Sequence, residues 1–265
     1  MAKKGYYDIS IGMRGYSPIL GSLGALVVPA IIFIFTGLQR PSVLASATRY
    51  EHSISLAVGL LIVAMIGCLV AAMGFAALGA EKVITPNVPA GVIFFGLPAS
   101  ISIVNILGSF AVLAAIYMPG SSDIFLVTVG AGGLVSVLYS SFGIIDSWQD
   151  GPDWSGIEAS PPWWNGSTKN ALNWATWTAS VSGSLVLVGT IVRLTVKPYL
   201  TNGLYVNSTL IAGLLLVLFG TIYGYFRVLH PTDDNKDEHP LRATEAFGVM
   251  LLLTFYILLV VLFLP

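Results

Sequence analysis

Three carboxylates near the middle of this sequence have the spacing best suited to metal chemistry. Asp146, Asp150 and Asp153 follow one another at intervals of four and three residues, which places them on one face if the helix before them continues. Three carboxylates could then hold a hard cation such as Ca²⁺ or Mg²⁺. Gly151 and Pro152 interrupt that helix and the glycine pattern of an EF-hand loop is absent, so we assign no metal ligand here.

Asn105 is an amide inside a long apolar segment, in the company of Ser100, Ser102 and Ser109. An amide surrounded by hydrocarbon needs hydrogen-bond partners. Two interpretations follow. Asn105 either joins neighbouring helices through a polar contact or forms part of the polar lining of a pore.

Other catalytic constellations are scarce. His52, His230 and His239 lie at the ends of apolar segments or in a connecting loop, and Cys68 is the only cysteine. The chain has no glycine-rich phosphate loop, no serine-centred elbow and no cysteine pair. We therefore expect no catalytic residue and no cofactor-binding residue in this chain, and no enzyme that acts alone.

The elements that position these residues are seven apolar segments. Each is near or above the ~20 residues that cross a ~30 Å hydrocarbon core, and none contains an Asp, Glu, Lys, Arg or His. They span about residues 18–38, 53–79, 89–118, 124–145, 172–192, 204–226 and 246–264. Charged residues make up 9% of the chain, against about 25% in soluble domains. The sequence predicts an all-α, polytopic transmembrane bundle forming one domain over 1–265.

The orientation follows from the Lys and Arg residues of the loops. With a cytoplasmic N-terminus, the inside carries eight of them: Lys3, Lys4, Arg14, Lys82, Lys169, Arg227, Lys236 and Arg242. The outside carries four: Arg40, Arg49, Arg193 and Lys197. We expect an N-terminus in the cytoplasm and a C-terminus outside, in a prokaryotic plasma membrane or an equivalent one. The net charge of −1 does not indicate a class of partner, and no basic patch suggests a nucleic-acid partner.

Small residues predict which helices pack closely, because lipid tails are already apolar and association depends on close backbone approach. Ala175, Ala179 and Gly183 recur every four residues in the fifth segment, and Gly220 and Gly224 do so in the sixth. These helices are expected in the tight centre of the bundle. The seventh segment has no small-residue face after Gly248, so we expect it to face lipid or to dock loosely on a partner subunit.

All six tryptophans fall between positions 148 and 177, and four belong to the longest connection, residues 146–171. These four are Trp148, Trp154, Trp163 and Trp164. Tryptophan favours the membrane interface and dominates the hot spots of protein interfaces. The loop is therefore a candidate interfacial cap, a docking surface for a partner, or a lid over a small or quinone-like ligand.

The last third of the chain resembles cytochrome oxidase subunit III. The segment 201–205 (TNGLY) precedes a span, a polar loop follows at 230–239, and TEAF at 244–247 introduces a terminal apolar helix. Seven spans with an inside N-terminus and an outside C-terminus fit the same pattern. The resemblance implies a non-catalytic subunit of a respiratory oxidase, with haem, copper or quinone held only by partner subunits. No functional residue is carried over from it.

Two functions of different classes remain. The first is a non-catalytic integral subunit of a larger membrane assembly, in contact with other membrane subunits and with lipids. The second is a passive channel or uniporter for a small neutral solute. Its path would be lined by Asn105, by kinks at Pro29 and Pro98, and by the hydroxyls of the fifth segment at positions 176, 180 and 184. An interfacial enzyme that uses the carboxylates of 146–158 is a third alternative.

Overall fold

The computed structural model of the chain describes residues 9–38, 51–80, 87–149, 168–196, 203–229 and 243–264. Seven α-helices occupy this part of the chain, and a short 3-10 turn joins the third to the fourth. They are α1 Ile9–Leu38, α2 Glu51–Ala80, α3 Asn87–Tyr117, α4 Ser122–Gln149, α5 Thr168–Thr195, α6 Gly203–Leu229 and α7 Ala243–Phe263. All seven are long and apolar enough to cross a membrane. The predicted all-α fold with seven spans is confirmed, and the protein is an integral, multi-pass membrane protein.

Several helices extend beyond the apolar segments. The first begins at Ile9 rather than near 18, and it contains Arg14 as well as Pro18 and Pro29. Helix α4 continues to Gln149 and α5 starts at Thr168, so both ends of the predicted loop 146–171 are helical. Polar and charged residues are tolerated at such helix ends because they reach the membrane interface.

Helix α3 is the centre of the bundle. It is the most deeply buried of the seven spans and packs against α2, α4, α6 and α7. The ring of Phe94 and the side chains of Leu97 and Ile101 are almost completely buried along it. The exposed side chains of Ile103 and Phe110 are as apolar as the buried ones of this helix, so α3 has no single amphipathic face and no one-sided sequence pattern.

Helix α7 has one face in the interior of the bundle and another that carries the exposed side chains of Phe247, Leu251 and Phe255. The prediction that it faces lipid therefore holds for only one of its faces, and docking on a partner subunit stays a prediction. The helix packs against α3, α4, α5 and α6, with Leu253, Tyr256, Ile257 and Val261 completely buried. The buried face was not predicted because a leucine-rich helix surface is equally compatible with lipid tails and with other apolar helices.

Helix α5 is a peripheral helix, and its predicted place in the tight centre was wrong. The span of α6, predicted there too, is even less buried than that of α5, although one of its faces packs against α2 and α3. The main contacts of α5 are with α4 and α7, while Trp177, Leu187 and Val188 are exposed on its outer side. Helix α1 is also peripheral. It is the least buried span and packs mainly against α2.

Candidate functional site

The candidate site is a small polar cluster in the middle of the bundle, where α3 meets α7. Asn105 on α3 and Tyr256 on α7 are both completely buried, at 0% exposure. The Tyr256 hydroxyl donates a hydrogen bond of 2.6 Å to Oδ1 of Asn105. In hydrocarbon, where water cannot solvate polar groups, this bond satisfies the tyrosine hydroxyl and the amide oxygen. Asn105 therefore makes the helix-to-helix contact that was one of its two predicted roles.

Tyr256 fits between α3 and α6 because α6 has a glycine opposite its hydroxyl. A methyl group at Gly213 would lie 2.5 Å from the tyrosine oxygen and 3.0 Å from Cζ. Any side chain at this position would displace the tyrosine from Asn105. The site is thus positioned by three helices, α3, α6 and α7, whose residues are far apart in sequence.

Two polar atoms of the cluster have no hydrogen-bond partner among the described residues. They are Nδ2 of Asn105 and Oγ of Ser109, which lies one turn further along α3. Both residues are completely buried. A buried polar group without a partner costs about 1–3 kcal/mol, so these two atoms are expected to favour any small partner that can reach them.

Ser109 differs from other hydroxyls of the bundle. Six of the buried or half-buried ones donate to the carbonyl four residues earlier, the usual way in which Ser and Thr satisfy their hydroxyls in a membrane helix. They are Ser102, Ser136, Ser141, Thr190, Thr221 and Thr254. The hydroxyl of Ser109 instead lies on the same helix face as the Asn105 amide.

About two turns before Asn105 on α3, Pro98 lies at a close contact between α3 and α6, which we call the α3–α6 seam. Proline has no amide hydrogen, so the carbonyl of Phe94 loses its partner within the helix. Gly220 packs against this point, where a methyl group would lie 2.8 Å from the Phe94 oxygen and 2.8 Å from Pro98 Cδ. A methyl group at Gly224 would meet Phe94 Cβ at 3.2 Å and the Phe95 ring at 3.3 Å. Both predicted packing glycines of α6 therefore lie against α3.

The small residues of α5 lie against α4 and α7 rather than at the centre. Ala175 and Gly183 are buried and Ala179 is half-buried. A methyl group at Gly183 would meet only the end of Leu134, at 3.1 Å. The three hydroxyl residues proposed for a pore, Thr176, Ser180 and Ser184, are exposed on the outer side of the bundle. The Ser180 hydroxyl donates to the Thr176 carbonyl of its own helix.

A buried arginine at one end of the bundle was missed by sequence reasoning, which counted it as a loop charge. Arg193 lies in the last turn of α5 and is 8% exposed. Its Nε and Nη2 donate to the carbonyl oxygen of Leu264, at 2.8 and 2.6 Å. The carbonyls at the C-terminal end of a helix carry partial negative charge and lack partners, so the guanidinium caps α7.

The opposite end of the bundle has a weaker version of the same contact. Arg14 of α1 donates from Nε to the carbonyl of Gly79, near the end of α2, at 3.0 Å, but Arg14 is exposed. On the same side, Tyr223 of α6 donates to Oε1 of Glu245 on α7 at 2.7 Å. Both ends of the bundle thus hold neighbouring helices together through polar contacts at the helix ends.

The tryptophan-rich loop lies mostly outside the described residues. Trp154, Trp163 and Trp164 belong to this part, and Trp148 occupies the last turn of α4 at a position whose side chain is not described. Their role as a cap, docking surface or lid stays a prediction. The same holds for the carboxylates at 150 and 153. Within the described ranges, no group of three or more His, Cys, Asp or Glu side chains could hold a metal ion.

Comparison with known proteins adds no relative. No protein family, no curated protein and no solved structure matches the chain. The resemblance to cytochrome oxidase subunit III stays a prediction. What the fold and site define is a class: a seven-helix integral membrane protein with an apolar, closely packed interior and a buried polar cluster between α3 and α7.

Proposed function

We propose that this protein is a non-catalytic integral subunit of a multi-subunit membrane assembly, of the respiratory or electron-transfer type. Its role is structural: it covers a lipid-facing surface of its partners and positions lipids around them. Haem, copper or quinone belong to the partner subunits. This proposal rests on the resemblance to cytochrome oxidase subunit III and on the packing of the bundle.

The observation that carries the proposal is the hydrogen bond between Tyr256 and Asn105. The one amide expected to line a solute path is completely buried and bound to a tyrosine of α7. Large side chains such as Phe94, Leu60 and Leu253 fill the surrounding interior. A polar contact inside a packed apolar core stabilises helix association, which is the chemistry of a structural element.

The alternative, a passive channel or uniporter, is supported less well because its candidate residues do not share a path. Asn105 lies between α3 and α7. Pro29 is exposed on the peripheral helix α1, and the hydroxyl residues at 176, 180 and 184 point outward from α5. A pathway built from these residues would have to pass through three separate regions of the bundle.

The outer side of α5 adds support for a partner in the membrane. Thr176, Ser180 and Ser184 form a stripe of small hydroxyl residues that faces away from the bundle. Small residues with hydroxyls are typical of surfaces where membrane helices approach each other closely. In a larger assembly this stripe would lie against a partner helix.

The first experiment is extraction of the native membranes with a mild detergent, followed by visible absorbance and mass spectrometry of the particle that contains this chain. We expect a coloured complex with several other integral subunits, whose haem or copper spectrum identifies the electron-transfer chain. A colourless particle made of this chain alone would contradict the proposal. Flux into liposomes, compared between wild type and Asn105→Ala, would then test the channel.

A second experiment tests docking by the tryptophan loop. Replacing Trp163 and Trp164 together with Ala is expected to release partner subunits during purification, because large aromatic side chains carry much of the binding energy at interfaces. Phe33→Ala is the matched control, since this aromatic residue is 77% exposed on the peripheral helix α1. Equal recovery of partners with both variants would show that the loop does not dock them.

The proposed orientation places the turn between α3 and α4 outside the cell. Met118 lies in this turn and is 55% exposed, while the single native cysteine, Cys68, is buried. Met118→Cys should therefore react with a membrane-impermeant thiol reagent added to intact cells, and the wild type should not. Labelling of Met118→Cys only after the membrane is opened would contradict the proposed orientation and would place this turn in the cytoplasm.

A further inference from the structure

The centre of α3 carries two unsatisfied polar groups on one helix face. Nδ2 of Asn105 and Oγ of Ser109 have no partner among the described residues, and both side chains are completely buried. Residues four apart on a helix are neighbours, with Cβ atoms ~5–6 Å apart. Buried polar groups in proteins are normally paired with protein groups or with ordered water, so this pair points to an occupant.

The protein alone cannot satisfy both groups. Ser109 could rotate toward the carbonyl four residues earlier, as Ser102 does, but the amide of Asn105 would still have free N–H groups. Turning the Asn105 amide around would let nitrogen face Tyr256 and would leave the oxygen unpaired instead. In either orientation one end of the amide requires a partner that the described helices do not supply.

The surroundings limit the size of that partner. Next to Ser109, a methyl group at Gly108 would lie 3.1 Å from Val260 and 3.4 Å from Leu60, so α2 and α7 pack closely around this turn of α3. Two hydrogen bonds of ~2.8–3.0 Å each span the distance between neighbouring side chains one turn apart. This close packing favours a small partner, and water is the smallest molecule with both donor and acceptor character.

We propose that a single structural water molecule binds between Asn105 and Ser109 in the middle of the bundle. It accepts a hydrogen bond from Nδ2 of Asn105 and donates one to Oγ of Ser109. Asn105 then serves two contacts at once, with its oxygen bound to Tyr256 of α7 and its nitrogen bound to the water. This hydration site is independent of the assembly proposed above.

Whether Ser109→Ala raises or lowers the Tm of the protein tests the proposal. If the site is dry, Ser109→Ala removes an unpaired buried hydroxyl and raises the Tm of the detergent-purified protein. If water bridges the two residues, the same change deprives the water of a partner and lowers the Tm. Ser102→Ala is the matched control on the same helix, because its hydroxyl is bonded to a backbone carbonyl and reports the general effect of Ser→Ala.

Nuclear magnetic resonance gives the direct measurement. In protein labelled with ¹⁵N at asparagine, we expect a buried side-chain amide that shows a cross-peak with a slowly exchanging water and disappears in Asn105→Leu. In Ser109→Ala, which removes no helix-to-helix contact, the cross-peak should be lost or strongly reduced. A raised Tm in Ser109→Ala, an absent cross-peak, or a cross-peak unchanged by Ser109→Ala would each overturn the proposal.

Discussion

Two seams of the bundle have the same small-residue spacing and very different surroundings. At the α3–α6 seam, the space beside Gly220 is filled by the Phe94 carbonyl and the Pro98 ring, each 2.8 Å from an added methyl group. At the α4–α5 seam, the space beside Gly183 meets only the end of the Leu134 side chain, at 3.1 Å. Backbone atoms and a proline ring cannot move aside, whereas a leucine side chain can change its rotamer. The nature of the neighbouring atoms therefore determines whether a glycine is required.

The largest effect is expected for Gly220→Ala. Overpacking of a well-filled site costs about 1–3 kcal/mol, more than the ~0.5–1 kcal/mol by which alanine is favoured over glycine within a helix. The Tm of the purified protein, measured by the loss of its monodisperse peak after heating, should fall clearly. An unchanged Tm would mean that α6 lies further from Pro98 than the structure places it.

A smaller decrease is expected for Gly224→Ala at the same seam. The added methyl group would lie 3.2 Å from Phe94 Cβ and 3.3 Å from the Phe95 ring, a fit that requires shifts of a few tenths of an ångström. Its Tm should lie between those of the wild type and Gly220→Ala in the same heating assay. A loss equal to that of Gly220→Ala would show that the seam is rigid along its length.

Gly183→Ala should leave the Tm unchanged or raise it slightly. Leu134 can rotate away from the added methyl group, and the gain in helix preference of ~0.5–1 kcal/mol is then retained. The comparison with Gly220→Ala uses the same chemical change in two environments. A decrease as large as that of Gly220→Ala would remove the distinction between the two seams.

The smallest effect on the isolated protein is expected for Ser180→Leu. Ser180 is exposed on the outer side of α5 and its hydroxyl bonds only its own helix in the described structure. The Tm of the purified chain should therefore remain at the wild-type value. Recovery of partner subunits should decrease if this stripe faces a partner helix, so co-purification is measured on the same samples.

The spans could be predicted from the sequence because the lipid phase dictates their length and excludes charge. Their arrangement could not. One face of the leucine-rich helix α7 lies in the interior, and helix α5, with its small residues, lies at the periphery, although the pattern favoured the opposite. Lipid and protein interiors are almost equally apolar, so hydrophobicity alone does not distinguish a buried helix surface from a lipid-facing one.

The sequence allowed one of the two bonded residues of the candidate site to be predicted. Asn105 was recognised because an amide in hydrocarbon needs a partner, but the partner, Tyr256, is 151 residues away and is preceded by residues that look lipid-facing. Arg193 was taken for a loop charge because its acceptor is a backbone carbonyl, which has no signature in the sequence. Contacts of this kind become visible only when the helix ends are placed beside one another.

The contact between Arg193 and Leu264 has a consequence for the order in which the bundle assembles. The arginine belongs to α5 and its acceptor lies 71 residues later in the chain, so during synthesis α5 is complete before the partner of its guanidinium exists. Until α7 arrives, this charge must remain at the interface, in contact with water or lipid headgroups. Docking of α7 then buries the charge and caps the C-terminal end of α7 in one step. The arginine contact therefore forms only in a late step of bundle assembly.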